Sequence, residues 1–139
     1  MAGSIEYLTP DNDADHWDVI EGQGSLHHVS YSGVTLALVH GGQPDALIIC
    51  HEPTRPHIRG LPDYKVPTME AIRDVALSLA RVANPACQVV GVSINTQHMS
   101  DEEARAYLTM LSDREAAQTM LSDPEMAGLA QDEIDEIEQ

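Results

Sequence analysis

The sequence predicts an α/β fold: a three-stranded parallel sheet with crossover helices, followed by a C-terminal helical tail. Three observations carry that prediction. Short runs rich in valine and isoleucine occur at residues 17–21 (WDVIE), 46–50 (ALIIC) and 88–94 (QVVGVSI), and none alternates cleanly between apolar and polar. Such runs suit strands covered on both faces, as parallel strands are. Helical patterns fill the stretches between them, so the strands are joined by crossovers, and residues 100–139 are helical in pattern throughout.

The elements follow in order. A short helix over 33–40 is expected to stop at Gly41-Gly42, with Gln43 beginning the turn before the second strand. A longer helix over 68–83 opens on Thr68 as N-cap. Its Ile72, Val75, Ala76, Leu79 and Ala83 recur at helical spacing, and Asn84-Pro85 ends it. Ser100 and Glu103 form a capping box, S-x-x-E, ahead of an apolar stripe of Ala104, Tyr107, Leu108 and Leu111. Asp123 followed by Pro124 marks another helix start, with Met126, Leu129, Ala130, Ile134 and Ile137 on one side.

The word TMLSD appears at 109–113 and again at 119–123. Ten residues turn a helix through about 1000°, about 80° short of whole turns, so the copies would face different ways on one helix. The REAAQ between them forms helix rather than turn, which argues against a helical hairpin. The repeat therefore reads as a seam, with a core over 1–108 and an acidic helical tail over 109–139.

Charge narrows the function classes. The 139 residues hold 23 acids and 7 bases, a net charge of −16. Residues 1–99 contribute −6 (11 acids, 5 bases) and residues 100–139 contribute −10 (12 acids, 2 bases). Such a chain repels nucleic acid and anionic lipid and suits a basic protein surface. Glu125, Asp132, Glu133, Asp135 and Glu136 are the tail residues expected to meet such a partner, and a homodimer is also compatible with the sequence. Cys50 and Cys87 lie in apolar runs and read as buried thiols, with no disulfide or metal role. No secretory leader or membrane span is recognisable, which makes the expected location cytoplasmic.

Ligands of parallel sheets gather beyond the carboxyl ends of the strands. Three polar loops follow the three runs and are expected to open on one edge. They offer Glu21, Gln23, Ser25 and His27 from the first, His51, Glu52, Arg55 and Arg59 from the second, and Asn95 from the third. Glu21 closes an apolar run as a metal-binding Walker-B carboxylate does, although a solvated or turn-capping role is the simpler reading. Arg55 and Arg59 could hold a carboxylate or phosphate through their forked donors, or merely balance Glu52 and Asp63. Ser25 with His27 or His51 lacks an orienting third group, so no catalytic residue is assigned. The histidines match no zinc motif, and no metal is expected.

Residues 2–108 resemble the D-glutamate N-acetyltransferase (DgcN-like) family. The likeness runs through "HWDVIEGQGSLHH", "YSGVTLALVHGGQPDALIICHEPTRPHIRGLPDY" and "NPACQVVGVSINTQHMSDEEARAYL". It implies a P-loop-type α/β domain, with acetyl-CoA and D-glutamate as ligands. No G-x-x-x-x-G-K-[ST] phosphate loop is present, and Lys65 is the only lysine. Residues 114–139 resemble the N-terminal helical region of class I peptide chain release factors, so the whole looks like a chimera, natural or artificial. Gly41-Gly42-Gln43 repeats the release factors' hydrolytic tripeptide but lies within the acetyltransferase-like part, where a helix end is the simpler role. With the phosphate loop missing, the sequence favours an acidic, non-catalytic binding protein with no cofactor, such as an inhibitor or antitoxin-like neutraliser of a basic nucleic-acid-acting partner. The alternative is a truncated acetyltransferase-like protein that binds acetyl-CoA and D-glutamate with little or no turnover.

Overall fold

A computed structural model describes residues 1–22 and 24–122, and of residues 115–122 the backbone alone. The chain divides into two compact units, Met1–Asn95 and Thr96–Gln139. In the first unit the elements run α1 (Ala2–Leu8), α2 (Ser32–Gly42), β1 (Ala46–His51), α3 (Met69–Ala83) and β2 (Gln88–Ile94); the second holds α4 (Asp101–Ser122).

The sheet has two strands, β1 and β2, paired in parallel from Ala46↔Gln88 to His51↔Ile94. These are the second and third expected strands. The first expected strand, at residues 17–21, is coil, with Trp17 84% and Val19 92% exposed. A strand is stabilised by its ladder and by cross-strand packing, and this run has no partner strand to supply either. The register shifts once between Leu47 and Ile48, which leaves Val90 as an extra residue on β2.

Burial along β1 alternates. Leu47, Ile49 and His51 turn inward, whereas Ala46, Ile48 and Cys50 are exposed. Helix α3 packs on both strands and on α2, and α1 packs on α2. The expectation that Cys50 is buried therefore fails: it is exposed on the face of β1 opposite Ile49, whereas Cys87 is fully buried. The core of the first unit centres on Ile49, Ala76, Ala80 and Cys87, the four buried apolar residues among those described.

Local signals set the helix ends. Thr68 caps α3 as expected, its Oγ1 accepting the Ala71 N–H at 3.3 Å. Ser100 and Glu103 complete their box: Ser100 Oγ accepts the Glu103 N–H at 3.3 Å and Glu103 Oε2 accepts the Ser100 N–H at 2.8 Å. Those carboxylate bonds hold Glu103 below its ordinary pKa. Helix α4 then runs through the first TMLSD and most of the second without a break. The expected helix start at Asp123 lies outside the described residues.

Helix α2 ends at its glycine pair as expected, but takes both glycines into its last turn: its final residue is Gly42, and Gln43 is the C-cap, in the left-handed conformation at φ 45°. The pair also serves packing. A Cβ on Gly41 would lie 2.7 Å from Ile5 Cβ and press on the Ala2 carbonyl of α1; one on Gly42 would lie 2.5 Å from Ile20 Cδ1. His40 joins α2 to α3 by donating from Nε2 to the Leu79 carbonyl at 2.9 Å.

Candidate functional site

The carboxyl ends of β1 and β2 lie side by side because the parallel ladder places them there, and the Asn95 N–H donates to the His51 carbonyl at 2.8 Å. This edge brings together His51, Glu52, Arg55 and Asn95. The chain after β1 folds back tightly: Arg55 N bonds Glu52 O at 3.2 Å, and Ile58 N bonds Tyr64 O at 2.8 Å. Residues 52–64 therefore form a built loop, with Gly60 at φ +76° supplying a turn that a side chain would strain.

Arg55 forms an ion pair with Glu52, so the charge-balancing role is realised. The pair is partly exposed, a setting in which such contacts contribute at most about 1 kcal/mol. An incoming carboxylate can therefore displace Glu52 at small cost. His51 is half-buried, and its pKa is held below the ordinary value by burial first and by the Arg55 charge second, with Glu52 opposing. The ring is thus neutral near neutral pH and able to accept a proton.

The loop of residues 25–31 is fastened to this edge by His28. Its Nδ1 accepts the Ser30 N–H at 3.1 Å, which leaves Nε2 to donate to the Arg59 carbonyl at 3.1 Å. The ring also leans on Tyr31, with centroids 4.6 Å apart. Gly24, at φ +111°, permits the close passage: a Cβ there would lie 2.9 Å from Tyr31 Cβ.

The other expected residues are placed less favourably. Glu21 is exposed in coil and does not terminate a strand, so the Walker-B comparison has no structural footing here. Ser25 Oγ accepts the His27 backbone N–H at 3.1 Å, a local turn rather than a nucleophile–base pair. His27 Nε2 is the one buried side-chain nitrogen or oxygen without a hydrogen-bond partner among the described residues. Gln23 and the tail acids Glu125, Asp132, Glu133, Asp135 and Glu136 lie outside the described residues.

Sequence reasoning missed Asn84. Its amide donates to Asp45 Oδ1 at 2.9 Å and to the Pro44 and Gln43 carbonyls at 3.2 and 3.3 Å, while its Oδ1 accepts the Ala86 N–H at 3.0 Å. It thereby joins the entrances of both strands. The Asn-Pro pair signalled a helix end, but its partners some forty positions away left no local trace. Among the described residues, no group of three or more His, Cys, Asp or Glu is placed to hold a metal ion, and no helix is long and apolar enough to cross a membrane.

A parallel strand pair joined through a helix, with structured polar loops at its carboxyl edge, defines a mixed α/β domain. The chain belongs to the DUF1611 family: the profile described as "Domain of unknown function (DUF1611_C) P-loop domain" matches residues 1–129. Over 114 residues the chain is 74% identical to a D-glutamate N-acetyltransferase of Tritonibacter scottomollicae, a match covering 82% of this chain and 34% of that protein. It is 46% identical over 112 residues to a D-glutamate N-acetyltransferase of a Pseudoalteromonas species, covering 81% and 34%. The chain thus spans about a third of the length of the curated relatives it matches. The family match also runs through the repeated word as far as residue 129, so a release-factor-like join near residue 109 is not shown.

Proposed function

We propose that the chain forms part of the ligand-binding edge of an enzyme that acetylates the amine of an acidic amino acid. D-Glutamate is the substrate suggested by the names of its relatives. The observation that carries this reading is the 74% identity over 114 residues to a protein so named. It favours the enzyme reading over the charge-driven inhibitor, for which net charge alone speaks. The lack of a phosphate loop no longer weighs against it, because the relatives extend well beyond the matched third.

The chemistry of the edge supports the assignment. In acetyl transfer from acetyl-CoA, the substrate nitrogen attacks the thioester carbonyl, the C–S bond breaks, coenzyme A leaves as its thiol, and the nitrogen gives up a proton. His51, kept neutral, is suited to take that proton. Arg55 is suited to receive a substrate carboxylate in exchange for Glu52. Calorimetric titration with D-glutamate and with acetyl-CoA tests the reading. Binding of D-glutamate should weaken about tenfold in Arg55→Ala, as expected for a charge-assisted bond. Absence of binding for both compounds, or D-glutamate binding indifferent to Arg55→Ala, would overturn it.

A further inference from the structure

We propose that Arg59 is a second carboxylate-binding residue of this edge, seated by His28, and that it makes the site selective for ligands with two carboxylates. The inference deepens the acetyltransferase reading and rests on it for the identity of the diacid.

Charge singles out the loop. Residues 51–65 hold three bases and two acids, a net +1. The rest of residues 1–99 holds two bases and nine acids, a net −7. A positive loop in so acidic a chain is where a small anion is drawn. The two arginines differ within it. Arg55 is engaged by Glu52, whereas the guanidinium of Arg59 has no ion pair or hydrogen bond among the described residues. Its forked donors, which match the geometry of a carboxylate, are therefore open to a ligand.

The backbone at Arg59 is, by contrast, fixed. Its carbonyl accepts from His28 Nε2 at 3.1 Å, Leu61 N bonds Ile58 O across it at 2.9 Å, and Gly60 turns the chain at φ +76°. The His28 ring is itself oriented by the Ser30 N–H at its Nδ1. A cation on a backbone held in this way loses less freedom when it binds. Arg55 and Arg59 are four positions apart, so their backbones are at most about 14 Å apart. Two long side chains on such a base can close on the ends of one five-carbon diacid. When a ligand carboxylate takes the place of Glu52 on Arg55, a second carboxylate needs a cation of its own, and Arg59 supplies it.

Calorimetric titration of the chain with D-glutamate, D-glutamine and glutarate tests the inference. D-Glutamine replaces the side-chain carboxylate with an amide, and glutarate lacks the amine. D-Glutamate should bind about tenfold more tightly than D-glutamine, as expected for a bond between charged groups. Arg59→Gln should weaken D-glutamate and glutarate about tenfold and leave D-glutamine nearly unchanged. The thermal midpoint should hold in this variant, because the side chain is exposed. Arg59→Lys, which keeps the charge without the fork, should restore part of the loss. His28→Asn keeps an acceptor for the Ser30 N–H but is too short to reach the Arg59 carbonyl. It should narrow the preference for D-glutamate over D-glutamine, whereas a merely structural role would weaken both alike. Equal affinity of the unaltered chain for D-glutamate and D-glutamine, or equal losses for both in Arg59→Gln, would overturn the inference. So would failure of both D-glutamate and glutarate to bind; acetyl-CoA binding in the same protein would then leave the acetyltransferase reading standing. Selectivity that depends on Arg59 while D-glutamate binding ignores Arg55→Ala would instead overturn that reading and keep this inference.

Discussion

His51 shows how one residue gathers a strand end, a loop and a charge into a single property. It follows the buried Ile49 by two positions, so the strand's alternation turns it inward, and burial then disfavours its charged form. Arg55 adds to the effect and Glu52 subtracts from it. Because the folded protein resists charging this ring, the unfolded chain takes up the proton first as pH falls below the ordinary value of 6.5. Stability from this source is therefore complete above that pH and declines as pH drops from it toward the lower folded value. Arg55→Ala removes a cause of the shift, so His51 should titrate at higher pH and the decline should span a narrower range. Proton NMR of the His51 ring, with denaturant unfolding at several pH values, measures both. A lower titration point in Arg55→Ala would contradict the account. That His51, Glu52, Arg55 and Asn95 lie at one sheet edge was legible because each ends or follows an apolar run, and polarity at such ends is a local signal. The fastening by His28 was not, because its partner lies 31 positions away.

Elements were legible where their signals are local. Thr68 and the Ser100–Glu103 box named the starts of α3 and α4 because capping bonds reach only a few residues. The coil at 17–21 was misread because its composition suits a strand and composition says nothing about a partner. Helix α1 went unread: seven residues give too little periodicity, and so short a helix is held by packing rather than propensity. Gly41 shows what that packing requires. In isolation, Gly→Ala within a helix gains up to about 1 kcal/mol. At Gly41 the added methyl meets Ile5 and the Ala2 carbonyl, and overpacking of this kind costs about 1–3 kcal/mol. The cost should win, so Gly41→Ala should destabilise the fold and expose α1 to proteolysis. Gly33, in the same helix with nothing within 4 Å of its would-be Cβ, is the control: Gly33→Ala should hold or raise stability. Chemical denaturation of the pair, with limited proteolysis of residues 1–10, separates the outcomes. An intact, more stable Gly41→Ala protein would show that α1 does not depend on this approach.

At the scale of the molecule, charge was fully legible in the sequence, whereas the extent of the core was not, since it depends on which elements lie beside the strands. The two bear jointly on stability. Sixteen net negative charges repel one another over a core with few fully buried apolar residues, so electrostatic repulsion is set against a modest hydrophobic gain. Two ion pairs among the described residues, Glu52–Arg55 and Asp74–Arg73, offset little of it: they join near neighbours in sequence, at partly exposed positions where each contributes at most about 1 kcal/mol. Salt screens repulsion between exposed charges over about 10 Å at 0.1 M and over shorter distances at higher concentration. The like charges here outnumber the opposite pairs, so screening should remove more repulsion than attraction. The thermal midpoint should therefore rise between about 0.02 M and 0.5 M potassium chloride, a weakly interacting salt that acts chiefly through screening. Replacing exposed acids reads the same balance without salt: Glu102→Gln with Asp113→Asn should raise the midpoint at low salt and reduce its dependence on salt. A midpoint that falls as salt is added would mean that attractive pairs outweigh the net charge, and that these acids stabilise the chain rather than strain it.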